Sequence, residues 1–136
     1  MKTGDIVKVT RNDGRIYECF VVQDFSDKNL FCGKVLETYG NKVPSTTWSR
    51  YGMFGDCICQ LRNECKSVEM VNEGTKIIVE DMNDTAIFTN TYKGKNLTFC
   101  LSEDFGGWSE ERDTSTSLYE SVNRAIFARS EVSRNA

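Results

Sequence analysis

The chain has 136 residues, 39% of them hydrophobic and 27% charged, with a formal charge of -3 and a sequence pI near 5.1. That is the size and make-up of one globular domain, and an aromatic content of 11% is too high for a disordered chain. The small negative charge gives no long-range pull toward nucleic acid or anionic membrane, and no stretch nears the ~18 apolar residues of a membrane span.

Strand signals begin at once. Residues 4–10 alternate after a Gly-Asp start, and Asn12-Asp13-Gly14 is a tight-turn signal, because Asp-Gly accepts the positive φ angles a hairpin needs. Residues 15–23 read as the returning strand. Ser26-Asp27-Lys28-Asn29 is a second turn, and a third strand is expected near 30–36. The opening Gly4-Asp5-Ile6-Val7-Lys8-Val9, the turn at Asp13-Gly14 and the run Ile16–Val22 resemble the start of SH3-like small barrels of the KOW and Tudor kind. The resemblance is confined to the N-terminal part of the chain. It implies a small-barrel shape and carries over no functional residues.

Residues 40–56 interrupt the alternation and hold the only proline, Pro44, with Trp48, Arg50, Tyr51 and Phe54. A segment this long and aromatic is more than a connector, since long loops often carry function. Strand signals resume at 57–62, 67–71, 76–80, 85–89 and 97–101, separated by turns at Asn63-Glu64, Asn72-Glu73-Gly74, Asn83-Asp84 and Lys93-Gly94-Lys95-Asn96. Short strands at this spacing predict an antiparallel sheet folded into a barrel or sandwich, with one twisted sheet or partly open barrel as the expected form. Phe105-Gly106-Gly107-Trp108 closes the β region. Ser117-Leu118-Tyr119-Glu120 then has capping-box form, and Leu118, Val122 and Ile126 set an apolar stripe on one face of a helix at about 118–131. The expected fold class is α+β, a single domain with β structure over 1–104, the helix packed on the sheet, and a frayed tail at 132–136.

The chain has no histidine. That removes the usual general base near neutral pH and rules out Ser-His-Asp and Cys-His arrangements within the chain. Acids such as Asp24, Asp27, Asp81, Asp84, Glu103 and Asp104 adjoin turns, where capping and solvation explain them. Cys57-x-Cys59-x5-Cys65, with Cys100 elsewhere, offers four thiolates that could in principle hold zinc. A Cys-x-Cys pair on one strand is not a common knuckle, so buried or half-buried free thiols are expected and no metal or cofactor is assigned. With no signal-peptide pattern at residues 1–10, a cytoplasmic location is expected.

The remaining chemistry is aromatic and cationic. Trp48, Arg50, Tyr51 and Phe54, with Trp108 and Arg112, suit either a protein hot spot or the stacking of a base. The expected function is a non-enzymatic binding or regulatory protein with a protein partner. This type is common among bacteriophage-encoded accessory proteins that modulate host machinery. The alternative is a nucleic-acid or nucleotide-binding small barrel, and a homodimer through the C-terminal helix is also open.

Overall fold

The computed structural model describes residues 1–44, 57–79, 85–101 and 107–111, with backbone alone at 78–79, 85, 100–101 and 107–111. Alternating apolar residues form β1 (Ile6–Arg11) and β2 (Ile16–Phe25) around the Asp13-Gly14 turn. Gly14 takes φ +87°, and the Asp13 carboxylate accepts the Arg15 N–H at 3.0 Å. A 3-10 turn at Ser26–Lys28 ends on Asn29 in the left-handed region, where asparagine is at home, and leads into β3 (Leu30–Tyr39). β4 (Cys57–Leu61) is followed by a second 3-10 turn at Arg62–Glu64 and β5 (Cys65–Asn72). β6 (Thr75–Val79), β7 (Thr85–Tyr92), β8 (Lys95–Leu101) and β9 (Gly107–Glu111) complete the described strands. Lys93 and Gly94 both have positive φ, as the two-residue turn between β7 and β8 demands.

The strands make two antiparallel sheets, ordered β4-β3-β2-β1-β5 and β6-β7-β8-β9. In the first sheet β1 to β4 run as a meander, and β5 returns to pair with the free edge of β1. Register shifts interrupt the pairing between Ile6 and Val7, Thr10 and Arg11, Glu18 and Cys19, and Val21 and Gln23. Bulges of this kind sharpen the twist. The sheet therefore curls over one of its own faces, and the edge residue Gln60 of β4 reaches across to Tyr17 of β2 (2.8 Å) and Arg11 of β1 (3.1 Å). Among the described residues neither sheet closes hydrogen bond to hydrogen bond into a barrel.

Two apolar clusters follow from this curl. Inside it lie Val7, Val9, Tyr17, Cys19, Val21, Phe31, Val43 and Ile58. On the other face Ile6, Phe20, Val22 and Cys57 meet Phe88, Leu97 and Phe99 of the second sheet, with Phe20 edge-on to Phe99 at 6.5 Å between ring centres. β2 runs between both clusters, so Tyr17 to Val22 are buried without a break.

Polar groups bridge the two sheets as well. Asn90 of β7 donates to Gly4 O (2.8 Å) and Asn72 O (2.9 Å), and its amide oxygen accepts from Asn72 Nδ2 and the Thr91 N–H, each at 2.7 Å. All four of its hydrogen-bonding positions are thus used. Beside it the buried Asp5 carboxylate accepts from Gly74 N (2.9 Å), Lys2 N (2.9 Å) and Lys2 Nζ (3.1 Å). The backbones of Gly4 and Gly74 pass so closely that a Cβ on Gly74 would sit 2.4 Å from Gly4 O.

These findings correct the α+β expectation. Among the described residues the fold is all β and contains no α-helix. The face expected to receive a helix is covered by a second sheet, whose Phe88, Leu97 and Phe99 complete the core. The helix expected at about 118–131, its dimer contact and the tail lie outside the described residues. No helix of the described residues is long and apolar enough to cross a membrane.

Candidate functional site

Trp48, Arg50, Tyr51, Phe54 and Arg112 lie outside the described residues. Trp108 stands on β9, paired with Phe99 of β8, and only its backbone is described. The structure does define the ground from which the 45–56 segment leaves. Ile16 pairs with Tyr39, which sets the β1–β2 turn beside the end of β3. Gly40 turns the chain at φ +86°, and Val43 anchors it by burying its side chain in the inner cluster. Asp13, Gly14, Arg15, Tyr39, Gly40 and Asn41 line an open depression of about 410 Å³ at this point.

Tyr39 is the aromatic group of that surface, 39% exposed. Its hydroxyl donates to the buried Glu18 carboxylate, which fixes the ring while leaving much of it open. Lys8 Nζ lies 5.5 Å and Lys93 Nζ 6.0 Å from the ring centre, both within cation–π range. Glu18 stands opposite Lys8 on β1 and opposite Glu37 on β3. Two carboxylates facing each other would repel. The Tyr92 hydroxyl lies between them, 3.2 Å from Glu18 Oε1 and 3.1 Å from Glu37 Oε2, and can give its proton to either. Lys93 Nζ donates to Glu37 and completes a second bridge between the sheets.

The titrations follow from these contacts. Lys93, then Tyr92, holds the Glu37 carboxyl below its usual range, and Glu37 in turn raises Lys93. The bond to Glu18, then burial, pushes the Tyr39 phenol up, while Tyr92 is pushed up by burial first and then by Glu37. The Arg15 N–H, aided by Arg11 and Arg15, lowers Asp13. Burial likewise raises Tyr17, Cys19, Cys32 and Cys65. Every resolved shift among the described residues moves its group away from neutrality. A proton-transfer catalyst needs the opposite, a group brought toward working pH.

The other sequence candidates resolve more simply. Asp24 is paired with Arg62 at 2.8 Å and Asp27 sits in a 3-10 turn, whereas Asp81, Asp84, Glu103 and Asp104 lie outside the described residues. No group of three or more metal-ligating side chains comes together among the described residues. Cys57 is buried and Cys65 half-buried, the burial the sequence suggests for these cysteines, but Cys59 is exposed. Sequence reasoning passed over Glu18, Glu37, Tyr39, Tyr92 and Lys93. One signal was present, since Glu18 is a lone carboxylate inside the apolar run Tyr17–Val22.

Among the described residues, fold and surface together define two packed β-sheets with an open, mixed-charge face at the root of the 45–56 segment. Compared with known proteins, the chain matches no family model, no curated protein and no solved structure.

Proposed function

We propose that the chain is a small non-enzymatic binding module that engages a protein partner through the face around Tyr39 and the 45–56 segment that springs from it. The observation that carries this reading is Tyr39 itself. It is an aromatic ring locked by its hydroxyl, left 39% exposed, and flanked by Lys8 and Lys93 beside an open depression. A pre-positioned tyrosine loses little freedom on binding, which is why such residues recur as interface anchors. Trp48, Arg50, Tyr51 and Phe54 add the side-chain types that dominate hot spots.

A nucleic acid or nucleotide is the second reading, favoured by the two ammonium groups over the Tyr39 ring. Asp13, Glu18 and Glu37 interleave with the cations, so the face lacks the one-signed field that phosphate attracts. The test is capture from cell extract on the immobilised protein, across a salt series and with or without nuclease. We expect a captured protein that is lost from Tyr39→Ala and from the Trp48→Ala, Arg50→Ala double variant, both of which keep the wild-type circular dichroism. Capture retained by both variants would sink the surface. Capture that fades steeply with salt and vanishes with nuclease would transfer it to the phosphate reading.

A further inference from the structure

β3 and β4 place two thiols face to face. Cys32 and Cys59 are register partners, and their Sγ atoms lie 2.7 Å apart. The Arg62 N–H donates to Asn29 O at 3.0 Å, which sets the phase of the ladder. Counting from that bond, Leu30–Leu61 and Cys32–Cys59 are both pairs without direct hydrogen bonds between them. In such pairs the Cα atoms approach to about 4.5 Å. That falls at the near end of the span a disulfide bridges, from about 4.4 Å upward. Cys59 is exposed, whereas Cys32 is 2% exposed.

We propose that Cys32 and Cys59 form a reversible dithiol–disulfide site that exchanges with low-molecular-weight disulfides and, when oxidised, ties β3 to β4 across the base of the 45–56 segment. Cys59, the exposed sulfur, attacks first. As the thiolate it breaks the S–S bond of R–S–S–R, forms Cys59–S–S–R and releases RS⁻, which takes up the proton Cys59 gave. Cys32 then loses its proton and attacks the Cys59 sulfur, expelling the second R–S⁻ to leave as RSH. Two protein thiols are oxidised to one disulfide, and one R–S–S–R is reduced to two RSH. Burial and the neighbouring Cys59 push the Cys32 thiol up, which leaves the first attack to the exposed Cys59, and the 2.7 Å between the two sulfurs then sets Cys32 against the mixed disulfide.

The closed loop holds residues 33–58, so the tether removes freedom from the unfolded chain and raises Tm by roughly 10 °C. The test equilibrates the full-length reduced protein with glutathione buffers of increasing oxidised fraction, followed by alkylation, intact mass and peptide mapping. We expect one intramolecular bond, mapped to Cys32–Cys59, reversed by dithiothreitol and accompanied by the rise in Tm. Cys59→Ser, a change at an exposed position, should show neither the bond nor the rise, and Cys32→Ser should stop at the glutathione adduct on Cys59. Three outcomes overturn the proposal: a stable adduct on wild-type Cys59, a bond mapped to Cys57 instead, or a Tm that ignores the oxidation.

Discussion

The two sheets are joined by polar bridges in two places, and the two are built differently. The bridge at Asn90 is buried, and its amide and backbone groups satisfy one another completely, with Asp5 and Lys2 beside it. The bridge at Glu18 and Glu37 is charged, reaches the surface, and is closed by Tyr92 and Lys93. A buried network gains strength from low dielectric and loses heavily when one member goes. An exposed ion pair is weakened by water and salt and contributes little. The first bridge therefore holds the sheets in place, while the second, anchored on the buried Glu18, presents the Tyr39 ring and the Lys93–Glu37 pair at the surface.

The sharpest way to break that contrast is Gly74→Ala. The added methyl would press on Gly4 O at 2.4 Å and Gly4 C at 2.5 Å, both rigid backbone atoms, so the two segments must part. We expect a loss of about 3 kcal/mol, read as a fall in Tm of roughly 10 °C. An unchanged Tm would mean that the buried bridge does not hold the sheets.

Asp5→Asn comes next. Its amide would set an N–H donor against the Gly74 or Lys2 donors, at a cost of about 1–3 kcal/mol. The same carboxylate supplies a pH signature. Burial raises Asp5, but the Gly74 and Lys2 N–H groups and the Lys2 ammonium outweigh it and hold the carboxyl below its usual value. A depressed folded value gives stability that is present above the unfolded pKa of about 3.9 and is lost as pH falls through the folded one. Wild type should therefore lose stability more steeply below about pH 4 than Asp5→Asn does, by urea midpoint against pH. Parallel acid limbs would show that Asp5 does not carry the bridge.

The sequence displayed the strands more clearly than what joins them. β1 to β8 were legible because alternation and turn residues agree, as at Asp13-Gly14 and Lys93-Gly94. β9 was missed because Gly107-Trp108-Ser109-Glu110-Glu111 offers one apolar residue and no alternation. The second sheet was taken for several strands of one, since alternation reports a buried face and never the face that covers it. Glu18 reads as a polar residue of an apolar strand and Asn90 falls just past the strand expected at 85–89, until the fold brings Tyr92 and Gly4 to them. The Cys32–Cys59 pair depends on the register between β3 and β4, and a one-residue slip in that pairing would undo it.

The smallest expected effect tests the exposed bridge. Lys93→Asn removes the ammonium from Glu37 but sets an asparagine before Gly94, at a position with φ 49° that asparagine tolerates better than lysine. Gain in the turn should offset the lost pair, leaving Tm near that of wild type. Glu37 contributes above its unfolded pKa and Lys93 below its own, so between them the wild-type pair is pH-independent, and added salt should erase what it gives. The variant should then respond to salt less than wild type does, in matched thermal melts. A large fall in Tm would make the exposed bridge structural after all. The Tyr39 face, which shares Lys93 and Glu18 with it, would then lose its claim to be a surface kept for binding.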